Sequence, residues 1–171
     1  YITIKYNPAG IEQLVVRYNG SGISGSTPRA ITADDSGNVY VTGSSQGQGT
    51  NSDIATVKYN SSGTQLWVAR YNGSGNQHDY GLALRLDSQG NVYVAGSSAI
   101  ADSLIDCVVI KYNSGGSQQW ASRYNAPGNS ADWATGLAVS GPGNVYITGT
   151  SETSATGADY ITVKYDADGV Q

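Results

Sequence analysis

Apolar and polar residues alternate with a period of two through most of this chain, in short bursts separated by Gly-, Asn- and Ser-rich turns. One stretch shows four such bursts in a row, at Gly81–Leu86, Asn91–Gly96, Cys107–Tyr112 and Gln119–Tyr124. They predict four consecutive strands, named a to d. Helical spacing is sustained nowhere in the chain. Residues 87–91 (Asp-Ser-Gln-Gly-Asn) and 113–117 (Asn-Ser-Gly-Gly-Ser) predict tight a–b and c–d turns, with Gly available for positive φ.

The bursts recur without slippage. Lys5-Tyr6-Asn7 returns at Lys58, Lys111 and Lys164, each step 53 residues, with Asp166 replacing Asn in the last copy. Arg17-Tyr18-Asn19 returns at Arg70 and Arg123, and Gly37-Asn38-Val39-Tyr40 at Gly90 and Gly143. Four short antiparallel strands repeated at this period predict an all-β chain, a β-propeller built of four-stranded blades. A β-solenoid coil is usually shorter, and a β-sandwich seldom repeats its sequence in register. In residue numbers, the predicted units are strands c and d of an incomplete blade (1–19), two full blades (28–72 and 81–125), and a blade lacking its last strand (134–171). Propellers close with four to eight blades, so three repeats predict a partial ring. Further sequence or other chains would complete it.

The remaining connections read as longer and less alike: b–c at 44–53, 97–106 and 150–159, and d–a at 19–29, 72–81 and 125–135. Both kinds fall on one edge of the blades. Variable length concentrated on one edge is where loops usually carry function.

Composition narrows the partners. A net charge of −4 argues against nucleic acid, which needs a basic face. Seven of the nine Lys and Arg are the recurring ones just named, so they belong to the repeat and form no special patch. No apolar run reaches the ~18 residues of a membrane span. A single Cys, abundant small polar residues and Asn-x-Ser triplets at Asn19, Asn60 and Asn72 fit a secreted, extracellular or cell-surface protein. The first residue, Tyr1, already lies inside a repeat, and a piece of something longer is expected.

Four stretches taken together carry a family resemblance: Asp34 to Gly43, Asp53 to Asn60, Gly63 to Trp67, and Arg70 to Gly73. In order and spacing they resemble the bacterial β-propeller repeat abbreviated SBBP. The first unit departs from that pattern, with Leu14 where Trp67 and Trp120 stand later. The resemblance implies a propeller module of a secreted or surface-attached protein. It brings no catalytic residues.

Candidate chemistry divides by position. Asp53, Asp106 and Asp159 share one repeat position before strand c, too far from the axis for neighbouring carboxylates to share one ion. Loop capping or pairing with a Lys or Arg of the same blade is expected of them. Trp67 and Trp120 are expected to be structural, packing between neighbouring blades, and Lys58, Lys111 and Lys164 to belong to the same framework. The Asp166–Gly169 segment lacks the full calcium-loop pattern and aligns with the c–d turns. His78-Asp79 has no nucleophile-elbow motif near it, and Cys107 aligns with apolar positions. The ligand candidates are Tyr80 and Trp133, with Asp79 and Asp132 just before them and Arg29 in the first unit. Aromatics beside carboxylates at a concave centre suit a carbohydrate or small polar ligand; packing between blades is the competing account for Tyr80 and Trp133.

The expectation is a non-enzymatic scaffold binding protein or glycan, with no catalytic residue, cofactor or metal. Two alternatives stay open: a fragment of a glycan-hydrolase or quinoprotein propeller whose active site lies elsewhere, and a structural spacer or assembly element.

Overall fold

The computed structural model describes residues 1–20, 25–101, 104–141, 143–153 and 155–171. Within them the chain forms thirteen strands in four antiparallel sheets and no helix. The first sheet pairs β1 (Ile2–Tyr6) with β2 (Glu12–Arg17). The second runs β3 (Ser26–Ala33), β4 (Val39–Gln46), β5 (Ser52–Tyr59) and β6 (Gln65–Tyr71) in spatial order. The third repeats it with β7 (Asp79–Leu86), β8 (Val92–Ala101), β9 (Leu104–Tyr112) and β10 (Gln118–Tyr124). The fourth has three strands, β11 (Asp132–Ser140), β12 (Asn144–Thr153) and β13 (Gly157–Tyr165). These are propeller blades. Sequence order equals spatial order in each, as in an up-and-down meander.

Strand ends differ from the sequence reading on the variable edge. The a strands start at Ser26, Asp79 and Asp132, two residues before 28, 81 and 134. Strands b and c run on into the segments read as b–c loops, leaving only 47–51, 102–103 and 154–156 between them. Of these, 102–103 and 154 lie outside the described residues, as do 21–24 of the first d–a connection. The d–a connections therefore span 18–25, 72–78 and 125–131.

Blades stack through three apolar clusters, one per interface. Val41, Ala55, Val57 and Tyr59 meet Tyr1 and Tyr18, which flank the two-stranded sheet. Tyr40, Ile54 and Ala69 meet Leu84, Val94, Val108 and Ile110. Tyr93, Ala95, Cys107 and Val109 meet Leu137, Val145, Ile147 and Val163. Each a strand lies against its predecessor's inner strands, β7 on β3 to β5 and β11 on β7 to β9. The face of β3 has no such cover: Ile31 is 62% exposed, whereas its counterparts Leu84 and Leu137 are buried.

The tight turns carry their own locks. Asn7, Asn60, Asn113 and Asp166 each use Oδ1 to accept two backbone N–H groups of their c–d turn, as with Asp168 and Val170 on Asp166. This is the Asx geometry that makes these residues turn formers. In the a–b turns Asp34 and Asp87 each accept from two backbone N–H groups, an Asn side chain and a Tyr hydroxyl. Burial works against the Asp87 carboxylate, but these hydrogen bonds outweigh it and lower its pKa.

Cys107 lies wholly inside the third of these interface clusters, on β9. Burial, with the charges of Asp132 and Asp106 adding, pushes its thiol up to about 12. The native chain should therefore react with a thiol reagent at pH 8 at least ~1,000-fold more slowly than a free cysteine. Prompt labelling of the folded chain would contradict this burial.

Candidate functional site

Two sets of residues define the edges of each blade, and the loop-bearing edge is the more elaborate. Asp79, Ser98 and Asp106 occupy one row across β7, β8 and β9, and Arg123 of β10 reaches over it. The Arg123 guanidinium donates to Asp106 Oδ2 through Nε and Nη2 (3.2 and 2.9 Å), to Ser98 Oγ (2.7 Å) and to the Ser98 carbonyl (2.9 Å). The preceding blade repeats the arrangement. Arg70 grips Asp53 Oδ2 (3.2 and 2.8 Å), Ser45 Oγ and the Ser45 carbonyl, and also donates to Tyr18 OH. The Asp side chains are nearly buried and the Arg side chains about a quarter exposed. A planar fork meeting carboxylate, hydroxyl and carbonyl at once is a task for Arg, which Lys could not perform.

In the third blade Asp132, Ser151 and Asp159 form the same row. Asp159 is exposed there and accepts from the Thr156 hydroxyl. Among the described residues this sheet has three strands.

The innermost carboxylates turn inward. Asp79 Oδ2 accepts the Gly73 N–H at 2.7 Å, and Asp132 Oδ2 accepts the Ala126 N–H at 2.8 Å. Each thereby fastens the connection entering its own blade. Both residues are fully buried, and burial raises the pKa of Asp79, with the Ser98 hydroxyl and the Gly73 N–H acting against it. They are the first residues of β7 and β11, not loop residues before them. Neither can present a carboxylate to a ligand at the surface. Burial and the loop bonds assign them a fastening role.

Tyr80 and Trp133 follow at the next position and are half-buried. The Tyr80 ring stacks on His78, with centroids 5.9 Å apart and planes 16° from parallel, so His78 is an aromatic neighbour on this edge. Arg29 is exposed. It occupies a β-bulge, since the β3–β4 register shifts between Pro28 and Ala30. Equivalent bulges put Leu82 and Thr135 at the same place in β7 and β11. A bulge re-aims a side chain away from the ladder, so one residue per blade leaves the pairing at this point. The sequence reading named Arg29 alone. No sequence signal marks the bulge, because Arg, Leu and Thr share no chemistry.

On the opposite edge the recurring Lys and Trp hold the next blade. Trp67 Nε1 donates to the Ser114 carbonyl (3.1 Å) and Trp120 Nε1 to the Ala167 carbonyl (3.0 Å). Lys58 and Lys111 reach those same carbonyls at 3.4 and 3.3 Å. Lys5 does likewise to Ser61. Lys58, Lys111 and Lys164 also lie over the rings of Tyr40, Tyr93 and Tyr146 of their own blades. Gly116 and Gly169 sit under the Trp rings, where an added Cβ would come within 2.7 Å of Trp67 or Trp120. Replacing Trp120 by Ala should cost about 3 kcal/mol, the low end for a large aromatic because this ring is only half-buried. Urea denaturation measures it, and a loss below ~1 kcal/mol would remove Trp120 from the interface.

A family model described as the beta-propeller repeat, SBBP, matches residues 16–49 and 119–153. Each match runs from a d strand through the connection into strands a and b of the next blade. The chain carries SBBP β-propeller repeats. The row of Asp or Ser, Ser and Asp under an Arg recurs in the two four-stranded blades, and the Lys–Trp grip on the following turn recurs with it. It is also similar to the regulatory protein FlaEY of Caulobacter vibrioides, 31% identical over 121 residues. That alignment takes in 63% of this chain and 12% of the relative, so the chain spans a small part of FlaEY's length. Among the described residues no helix is long and apolar enough to cross a membrane.

Proposed function

We propose that this SBBP segment is a non-enzymatic scaffold of a secreted or cell-surface protein, which presents its b–c and d–a edge to a protein or glycan. The observation carrying this reading is the contrast between the two edges. The Lys–Trp edge spends its recurring polar groups on the neighbouring blade. The other edge rests on the Arg-locked rows and carries the segments that differ from blade to blade: 46–52, 99–103 and 152–157 between strands b and c, and 72–78 against 125–131 between d and a. A rigid base under divergent loops is the usual construction of a binding surface. Tyr80, its stacked partner His78, Trp133 and the bulge residue Arg29 are the side chains on offer there. Flat aromatic faces next to hydrogen-bonding groups suit sugars. The regulatory name of the relative is compatible with a part that binds and performs no chemistry.

An array of immobilised glycans and a panel of cell-surface protein extracts, probed with the whole chain, tests the reading. Binding should fall at least ~10-fold when Tyr80 and Trp133 are both replaced by Ala. It should be unchanged by charge reversal at the exposed c–d turn residue Asp168. Loss of binding with the second change and survival with the first would assign the function to the wrong edge.

A further inference from the structure

An exposed Asn opens each d–a connection at the repeat step: Asn19, Asn72 and Asn125. Residues 18–22 and 71–75 both read Tyr-Asn-Gly-Ser-Gly, while Asn125 is followed by Ala126. Asn before Gly is chemically labile, because glycine has no Cβ and its backbone nitrogen can swing onto the Asn side-chain amide. At Asn72 two hydrogen bonds oppose that motion. The buried Gly73 N–H is held by Asp79 Oδ2 at 2.7 Å, and Asn72 Nδ2 donates to Asn76 Oδ1 at 2.7 Å. Asn125 has the same two restraints, with the Ala126 N–H on Asp132 and its own Nδ2 on Asn129. At Asn19 both acceptors are replaced. Ser26 stands where Asp79 does, and Ile23 where Asn76 does. The Ser26 hydroxyl donates to Ser45 Oγ at 3.0 Å, and Gly20 is only half-buried. All these acceptors belong to the connection and the strand it enters, and every counterpart is present in the first copy, so the contrast lies in the sequence itself.

We propose that Asn19–Gly20 is a site of spontaneous deamidation, and that the repeat protects the same dipeptide at Asn72–Gly73. The Gly20 backbone nitrogen gives up its proton and bonds to Asn19 Cγ. The Cγ–Nδ2 bond breaks, and Nδ2 leaves as ammonia with that proton. Water then opens the resulting succinimide at either carbonyl, giving isoaspartate or aspartate. At Gly73 the same nitrogen has its proton in a hydrogen bond to a carboxylate, the strong kind, and must lose that bond before it can attack. Conversion of Asn19 places a carboxylate at the start of the connection entering the first complete blade, with an extra methylene in the main chain in the isoaspartyl form. This connection therefore changes with the age of the molecule while the next one does not. The inference is independent of the loop-edge reading, because it needs no ligand and none of Tyr80, Trp133 or Arg29.

The test incubates the whole chain at pH 8 and maps its peptides by mass spectrometry over time, with an isoaspartate-specific methyltransferase counting the isoaspartate formed. In the native chain Asn19 should convert at least ~10-fold faster than Asn72, and Asn125 should be slowest. In urea, where the restraints are gone and the two sites share five residues, their rates should become equal. D79S should bring Asn72 towards the rate of Asn19. Asp79 is buried, so N76G is the second variant: it removes the other restraint at an exposed position whose φ of 51° suits glycine, and it should accelerate Asn72 in the same sense. Circular dichroism checks that each variant folds. Equal native rates at Asn19 and Asn72, a difference that persists in urea, or no acceleration of Asn72 in the folded variants overturns the proposal.

Discussion

Replacing Arg123 by Ala should destabilise the chain by about 3 kcal/mol. Removing one member of a buried ion pair typically costs ~3–5 kcal/mol, mostly through the charge left behind, and here Asp106 is the group left behind. Its side chain is 6% exposed, so water cannot replace the guanidinium well. The estimate sits at the low end because Arg123 itself is a quarter exposed. Three acceptors on two other strands lose their donor together, so the loss should fall on the loop edge of the second blade. Urea denaturation gives the total, and hydrogen exchange should show the outer ends of β8 and β9 opening first. Lys at this position should recover little, since an ammonium cannot serve Asp106 through two nitrogens while also meeting Ser98. Pairing Arg123→Met with Asp106→Asn removes both charges and should return part of the stability. A single-variant loss under ~1 kcal/mol would mean that the row behaves as an ordinary surface pair.

A comparable effect is expected from Gly96→Ala. A Cβ at Gly96 would be driven into the carbonyl oxygen and carbon of Tyr80 on the paired strand, and Gly43 and Gly149 face the carbonyls of Thr27 and Trp133 in the same way. Backbone on adjacent strands cannot step aside as a flexible side chain can. The contact sits where the β7–β8 register shifts, between Gly81 and Ala83, so the bulge and the glycine form one arrangement. Overpacking of this kind costs ~1–3 kcal/mol and sometimes more, and the upper end, about 3–4 kcal/mol, is expected because the obstacle is main chain. Gly90→Ala makes a useful comparison. Its φ is +77° but its nearest neighbour is 3.5 Å away, so it should cost only about 1 kcal/mol of backbone strain. If the two variants unfolded at the same urea concentration, close approach at Gly96 would not be what selects glycine there.

Much of this architecture can be read in the chain because the strands repeat their alternation and the turns repeat their Gly and Asn. The edge carrying the locked rows could not be read so well. Gly43-Ser44-Ser45 and Gly96-Ser97-Ser98 do not alternate apolar with polar, so period two loses strand b there. The residues are nonetheless buried, because the hydroxyls of Ser45 and Ser98 are satisfied by an Arg from strand d. A contact between strands b and d leaves no local pattern. The recurrence of Ser45, Ser98 and Ser151 at the repeat step was the available signal. The surroundings of Asp79 and Asp132 were hidden for a related reason. A carboxylate beside an aromatic residue reads as a ligand group until its backbone partners, six residues upstream, are known.

The grip of one blade on the next has a bearing on how such a gene changes. Lys5 to Ser61, Lys58 to Ser114 and Lys111 to Ala167 all bridge 56 residues, and both Trp contacts bridge 47. Each acceptor is a backbone carbonyl, so it is present whether the residue is Ser or Ala. Unequal recombination that inserts or deletes one whole repeat therefore rejoins every donor to an equivalent acceptor, and no compensating substitution is required. Copy number can drift while each junction stays chemically the same, and lineages carrying these repeats should differ by whole units more readily than by parts of one.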